Sequence, residues 1–526
     1  MFNTNSYRLQ ATRYRLGSHR SLITYLNPLL RVLFSVPSTA RSLKLEACRP
    51  ALPAGRLKPF FLLVAFLFVS LISEAQDTLS LAHAIQIGLN NNFNVQIGKL
   101  NVDIAKNNNT WGQAGRLPTI NLIGGQPNSV VQRKPANPFA VAGRNISDNI
   151  NGQLDAQFTL FDGFFVKLSK QRLEQLESLS NGNSTFIMEN AVQAIILGYY
   201  EVLLRSEQLL VLIKNKAFSK ERYDYVKLRK DLGSAITFDV LQEQNNYLTD
   251  SATVLQQEIQ LKNSVRNLNL LLNENINKTY RLTDILPNET ESYRYEDLRD
   301  KMISSNTNLR NQFITQELFR NATNLAQSNY SPTLLLNVGA NASLDKLNAN
   351  FRTATGNTIE NTVGYVNRDS NSPVYNTVNE TALQPRTLTG NSYGAYANLN
   401  LRFTLFNGGQ IRRAVENAQI QEKITQLSTD QLKLSLENDL LANYDLYNLR
   451  KQLVQITQTK LRAAELNLSL ANERYKNGAM SAIDLRIVQE NYQSSALENS
   501  LALYSAISSK VDLIRLTGGL VDKKSN

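Results

Sequence analysis

Two periodicities alternate along this chain. Over residues 153 to 160, Leu154, Ala156, Phe158 and Leu160 alternate with Gln153, Asp155, Gln157 and Thr159, the mark of a two-faced strand. Beyond residue 166 the apolar spacing lengthens to three and four, through Leu197, Tyr200, Leu204 and Val211. It resumes after Gly233-Ser234-Ala235 through Val254, Leu261, Val265, Leu268 and Leu272. This predicts a helix over residues 166 to 230, roughly 100 Å long, and a returning helix over 237 to 272, with glycine at the break. A rod of that length needs neighbours along its whole extent.

The same pattern recurs 245 residues later. Phe-Thr-Leu-Phe-Asp-Gly at 158 to 163 becomes Phe-Thr-Leu-Phe-Asn-Gly at 403 to 408, and Tyr199, Gly233, Asp239 and Tyr247 map onto Tyr444, Gly478, Asp484 and Tyr492. The chain is an internal duplication. The second strand alternates Ala397, Leu399, Leu401, Phe403 and Leu405 against Asn398, Asn400, Arg402 and Thr404. The second helical hairpin runs from about 410 to 476 and from 482 to 516. Proline-free tracts at 139 to 286 and 386 to 526 support both hairpins, because proline inside a helix costs about 3 kcal/mol.

A shorter helix is expected before each hairpin, over 80 to 114 and 295 to 327, each stopped at Leu117-Pro118 or Ser331-Pro332. Antiparallel strand partners are expected at 119 to 124 and 333 to 342, with irregular outer loops at 125 to 150 and 348 to 391, the whole stretch from the proline stop to the Phe-Thr-Leu-Phe motif being 31 residues longer in the second copy. An apolar face opposed to a polar one is the transmembrane-barrel pattern, which places Asp155 and Arg402 in a watery lumen. Four strands cannot close a barrel, whose smallest bacterial examples need eight, so other copies of the chain must complete it.

Charge and targeting refine this picture. The formal charge of +12 is concentrated in residues 1 to 75, which hold ten basic and two acidic side chains and leave 46 and 42 for the rest. No basic run remains to suggest nucleic-acid binding. Residues 60 to 72 form an apolar run behind Arg56 and Lys58 and ahead of Ser73-Glu74-Ala75, which resembles a signal peptide cleaved before Gln76. Residues 1 to 57 read as an overextended start or a long leader. The lone cysteine, Cys48, lies there, so the mature chain has no disulfide, in keeping with a bacterial envelope protein. The expected organisation is a leader over 1 to 75, a first repeat over 76 to 287 and a second over 288 to 526.

No nucleophile with a positioned base is evident, and His83 has no second histidine or cysteine for a metal site, so neither an enzyme nor a cofactor is expected. Gly163, Gly408 and Gly409 serve the strand-to-helix turns.

The duplicated order of the Leu-Pro and Ser-Pro stops, the Leu-Phe-Asp-Gly and Leu-Phe-Asn-Gly-Gly strand exits and the Gly-x5-Asp turns at 233 to 239 and 478 to 484 resembles the TolC family of outer-membrane efflux and secretion ducts, over residues 77 to 517. That resemblance implies a mixed α and β membrane protein. Its homotrimer would set a 12-stranded β-barrel, four strands per protomer, on a long periplasmic α-helical barrel. It also implies a docked periplasmic adaptor, or membrane fusion protein, and an energised inner-membrane pump that sets specificity. The helical turns around Gly233 and Gly478 become the periplasmic tip and the adaptor contact.

Asp484 falls at the position of a carboxylate ring at the constriction, and Tyr475 at that of a tyrosine whose hydroxyl locks the closed tip against the position of Asp239. The sequence departs from the family where Met480 replaces an arginine and Ile487 an aspartate. Taken without the resemblance, Asp239 and Asp484 read as first-turn acids favouring the helix dipole, and Tyr475 as an exposed contact. The competing class is a periplasmic coiled-coil adaptor or scaffold, which shares helical hairpins but predicts a compact β-domain.

Overall fold

The computed structural model describes residues 78–137, 141–287 and 291–520. The leader and its apolar run lie outside the described residues. Gln76–Asn526 form one compact unit in which the two repeats are joined.

In the first repeat, β1 (Thr78–Leu79) leads into α1 (Leu81–Asn91) and α2 (Phe93–Asn108), then β2 (Thr119–Gly125), β3 (Asn128–Arg133) and β4 (Gly143–Phe161). The hairpin follows as α3 (Phe165–Asp231) and α4 (Thr237–Leu272), and β5 (Arg281–Leu282) returns to pair in parallel with β1. The second repeat comprises α5 (Tyr295–Ser305), α6 (Thr307–Ser328), β6 (Thr333–Tyr365), β7 (Pro373–Arg402), α7 (Gln410–Lys476) and α8 (Ala482–Leu516). The four long helices stand within a residue of the bounds expected from sequence.

The short helices do not. Each expected single helix is broken by an asparagine that caps its second half. Asn92 Oδ1 accepts from the amides of Asn94 and Val95, and Asn306 Oδ1 from that of Leu309 at 2.9 Å. The same two side chains donate Nδ2–H to the carbonyls of Leu271 and Leu516, each at 2.9 Å, where the returning helix ends. Capping the new helix while serving an orphan carbonyl of another offsets the broken backbone ladder.

Two equivalent cores form where these short helices meet the middle of each hairpin. One gathers Leu79, Ala84, Ile195, Tyr199, Val202, Leu268 and Leu272; the other gathers Leu298, Met302, Leu309, Leu436, Leu440, Tyr447, Leu513 and Leu516. Tyr199 donates its hydroxyl to the Leu79 carbonyl at 2.9 Å and to Asp284 at 2.7 Å, and Tyr444 donates to the carbonyl of Tyr293. The paired tyrosines therefore anchor the segment that precedes each short helix. Burial pushes the Tyr199 hydroxyl up to about 12, with Asp284 adding to the shift, so it stays a donor.

The strands form one antiparallel sheet in the order β2-β4-β6-β7, with β3 also on β4. β2 and β3 continue a single line of pairing, Gly125 opposite Asn151 and Asn128 opposite Asp148, interrupted at Pro127, a tolerable place for proline on an edge strand. The sheet is thus four strands wide. One face carries Asn121, Gln153, Asp155, Gln157, Asn337, Asn398 and Arg402; the other carries Ile120, Leu122, Leu154, Phe158, Leu334, Leu336, Leu399 and Leu401.

Both outer loops expected from sequence are corrected by the structure. Much of 125 to 150 belongs to β3 and β4, and nearly all of 348 to 391 is the continuation of β6 and β7, closed at Val366–Arg368. Expected strand 333 to 342 therefore runs on to Tyr365. A third correction concerns Phe403 and Leu405, which leave the ladder after Arg402. β4 is central and keeps partners through Phe161, whereas β7 is an edge strand whose neighbour begins at Thr333, opposite Arg402.

Candidate functional site: the hairpin tips

Each hairpin turns through a glycine with positive φ, Gly233 at +77° and Gly478 at +76°. The amide of the following residue reaches back to close the turn, Ser234 to the Arg229 carbonyl at 2.7 Å and Ala479 to that of Arg474 at 2.9 Å. This is the left-handed helix ending that glycine adopts without steric cost. The returning helices start four residues later.

Asp239 and Asp484 both occupy the third position of those helices and both are exposed. Their local bonds differ. Ser481 caps its helix by accepting from the Asp484 amide at 3.1 Å and donates its hydroxyl to the Asp484 carboxylate at 2.7 Å. Its counterpart Ile236 has no side-chain acceptor, and Asp239 reaches only the Ile236 amide, at 3.4 Å. The second carboxylate is therefore the more firmly positioned, while one oxygen edge stays open to solvent.

Tyr475 does not make the expected bond to Asp239. Its ring packs edge-on against Tyr225 with centroids 5.7 Å apart, and its hydroxyl is buried without a hydrogen-bond partner among the described residues. Burial pushes this hydroxyl up, and Glu243 adds to the shift. The side chain is turned into the bundle rather than along the tip, which removes it from Asp239.

What ties the two hairpins is a buried ionic cluster that the sequence reading missed. Arg486 of α8 crosses to α4, donating Nη1–H and Nη2–H to the two oxygens of Asp250 at 2.5 and 2.9 Å, and to Ser219 of α3 at 3.1 Å. Ser219 itself donates to Asp250. Closer to the tip, Arg222 of α3 and Glu243 of α4 form a second ion pair, within the first hairpin, at 3.0 Å, each under 5% exposed. Lys214 adds a cross-hairpin bond to the Tyr492 hydroxyl at 3.1 Å. A paired carboxylate and guanidinium in this forked geometry is directional as well as strong.

None of these charges has a charged counterpart in the other repeat. Arg486 corresponds to Leu241, Asp250 to Ser495, Arg222 to Asn467 and Glu243 to Val488. That departure from the duplication, at positions of core spacing, was the available signal. The cluster stands where the repeats must differ in order to hold one another.

At the other end of the hairpins, Gly163, Gly408 and Gly409 have φ of +67°, +65° and +75° and turn strand into helix. Asp155 and Arg402 share the polar sheet face. Asp155 accepts from the Tyr396 hydroxyl at 2.5 Å, and that hydroxyl accepts from Gln153 at 2.8 Å. Tyr396 lies across Gly339, where an added Cβ would come within 2.6 Å of its hydroxyl and 2.5 Å of the Leu154 carbonyl.

Comparison with known proteins bears on this geometry. The family model for outer membrane efflux proteins matches residues 298–519, most of the second repeat. No curated protein matches the sequence. Among solved structures, the fold is similar to the outer membrane protein VceC of Vibrio cholerae, with a TM-score of 0.62 and 14% identity, covering 84% of this chain and 96% of that one. It is also similar to the CmeC outer membrane channel of Campylobacter jejuni, TM-score 0.62 and 14% identity over 85% and 87% of the two chains. The open state of the MtrE outer membrane channel of Neisseria gonorrhoeae aligns with a TM-score of 0.57 and 15% identity, over 84% and 89%.

Proposed function

We propose that this chain, whose second repeat matches the family model for outer membrane efflux proteins, is the outer-membrane duct of a tripartite efflux or type I secretion system. Three copies build the duct, which conducts substrate passively to the exterior. The observation that carries this reading is a four-stranded sheet, apolar on one face and polar on the other, continuous with hairpins about 100 Å long. Each end of the sheet has an unpaired edge, β2 with β3 on one side and β7 on the other. Such edges demand partners in a membrane, and three copies supply 12 strands, within the range of bacterial barrels.

The dimensions agree. Apolar side chains run along β6 from Leu334 to Leu344, about 33 Å of strand, which a tilt near 40° reduces to about 25 Å, the usual height of the lipid-facing band. Phe161, Phe164, Phe403 and Phe406 cluster at the end next to the helices, where an aromatic girdle belongs. Asp155 and Arg402 then face the lumen, outer-membrane lipid contacts the leucine face, and the helices stand in the periplasm.

At the tips, Asp484 supplies one carboxylate per protomer to a ring at the narrowest point, with Asp239 beside it. The turns at Gly233 and Gly478 meet a periplasmic adaptor linked to an inner-membrane pump. In place of a Tyr475 lock, the Arg486–Asp250–Ser219 tie holds each pair of hairpins together. The scaffold alternative needs a compact β-domain, which an open sheet with a leucine face is not.

The test is single-channel conductance of purified mature protein in a planar bilayer. Cation-selective current that a multivalent cation blocks in the wild type but not in Asp484→Ala supports a duct with that carboxylate at its constriction. A soluble monomer that stays silent as wild type, Asp484→Ala and Asp250→Ala overturns it.

A further inference from the structure

The pairing of β4 with β6 ends at Ile146 opposite Asn348, yet β6 and β7 run on together to Tyr365 and Pro373. The result is a two-stranded ribbon projecting about 50 Å beyond the four-stranded sheet, at the end away from the helices. A lone ribbon is at best marginally stable in water, so one of this length calls for a packing partner.

Its side-chain pattern inverts where it leaves the sheet. Through the sheet, the face bearing Asp155 and Arg402 is polar up to the row of Asn149, Asp345 and Gly390, where Asn149 donates to Asp345. The opposite, leucine face is apolar up to Ile150 and Leu344 and then turns charged at Asp148 opposite Lys346. One row further, the formerly polar face gains apolar rows, with Leu347 opposite Leu388, then Phe351, then Ile359 opposite Val378, and Val374, set between polar positions at Arg386, Gln384, Glu380 and the Asn361–Asn376 pair. The formerly apolar face now carries Arg352, Glu360, Thr377, Asn379 and Thr381, with Tyr375 and Leu383 as its apolar members.

Register is kept through the change. Between Ala354 and Thr358 the three residues opposite Glu380 form a bulge with Gly356 at φ +88°, and Thr355 and Asn357 hydrogen-bond the Glu380 carboxylate at 2.8 and 3.2 Å. Because β7 alternates without interruption across it, Val378 stays on the same face as Tyr396 and Arg402. That face continues the side of the sheet that bears Asp155 and Arg402, the lumen side of the proposed barrel.

We infer that in the trimer the three ribbons lean together and pack their axis-facing apolar sides on one another, forming a narrowed extracellular vestibule over the exit of the duct. This rests on the trimeric reading above. Lipid covers the leucine face inside the membrane, whereas the apolar rows at Leu347, Phe351 and Ile359 lie beyond it on the lumen side, where another copy of the ribbon can cover them. The geometry permits the contact. A barrel of 12 strands spaced about 4.8 Å and tilted about 40° has a radius near 12 Å, while packed sheets lie about 10 Å apart. Each ribbon need move inward by only about 6 Å over its length. The occupant of each apolar face is the same face of the next copy, so the vestibule is incomplete in a single chain.

The mature chain has no cysteine, which makes the test direct. Purified full-length mature protein carrying Ile359→Cys is oxidised and compared with Thr377→Cys, which lies on the outward face one row away. Light scattering in detergent establishes the trimer in each. Disulfide-linked dimers from Ile359→Cys, up to two of every three subunits, with no comparable product from Thr377→Cys, are expected. Replacing residues 349 to 386 by Asn-Gly should also raise single-channel conductance while the trimer persists. Intact trimers in which Ile359→Cys stays unlinked, or in which both cysteines link equally, overturn the vestibule and leave the duct standing. Absence of trimers overturns both.

Discussion

At the scale of single residues, two glycines with nearly the same φ have different duties. An alanine at Gly409 suffers mainly the strain of a left-handed conformation, about 1 to 2 kcal/mol, and its Cβ would come within 3.2 Å only of the mobile end of Arg413. At Gly163 the Cβ would also press on Ser331 at 2.4 Å and on the Ser328 carbonyl at 2.7 Å. Gly163→Ala is therefore expected to lower the thermal unfolding midpoint clearly more than Gly409→Ala, and equal midpoints would refute the packing argument. In the ionic cluster, Asp250→Ala leaves the Arg486 guanidinium largely buried with only the exposed Glu490, 2.7 Å from its Nε, as a carboxylate partner. A loss of about 3 to 5 kcal/mol follows for a buried pair, less here for the part of Arg486 that reaches water. If this tie holds the hairpins together, conductance rises in the same variant.

At the scale of elements, proline and glycine made the chain legible. The helices after residues 165, 237, 410 and 482 were readable because long 3.6-residue patterns ended at glycine turns and excluded proline. The breaks at Asn92 and Asn306 were not, since an asparagine inside a polar helix reads like any other until a second segment presents its carbonyl. Asn306→Ala removes both a cap and a bond to the Leu516 carbonyl, and a loss of about 1 to 3 kcal/mol is expected by thermal denaturation. The ribbon escaped because its Asn- and Thr-rich stretch has the composition of a loop, and polar residues interrupt the apolar rows on both of its faces.

The linker between repeats carries a pH dependence. Lys510 holds the Glu291 carboxyl below its usual 4.5, helped by the Tyr293 hydroxyl. A depressed folded-state value means that this contact stabilises above the unfolded value and is lost as pH falls through the lower one. Glu291→Gln should lower the neutral plateau of the stability curve slightly while leaving its acid end unchanged, and so flatten the fall below about pH 4.5. A fall as steep as that of the wild type would show the contact to be incidental.

At the scale of the whole molecule, the two cores, the two tyrosine anchors and the two asparagine hinges repeat so closely that the proposed trimer would have nearly sixfold walls. The candidate site at the tips was legible only in part. Gly233, Gly478, Asp239 and Asp484 stood out because duplication marked them, whereas Arg486, Asp250, Arg222 and Glu243 were hidden because they are where duplication fails. Leu440, fully buried in the second core, should cost about 2 to 5 kcal/mol on truncation to alanine and be felt as loss of trimer in detergent.

One contrast at the tips reaches beyond the chain itself. Ser481 seats its aspartate through a hydroxyl and Ile236 does not, so in the proposed trimer the six turns at the end of the bundle would alternate between two chemistries. A ring of six identical partner subunits arriving from below would meet them as three seats of one kind and three of another. Occupancy should then fill in two steps of three, and a titration followed by mass would show a half-loaded complex before a full one.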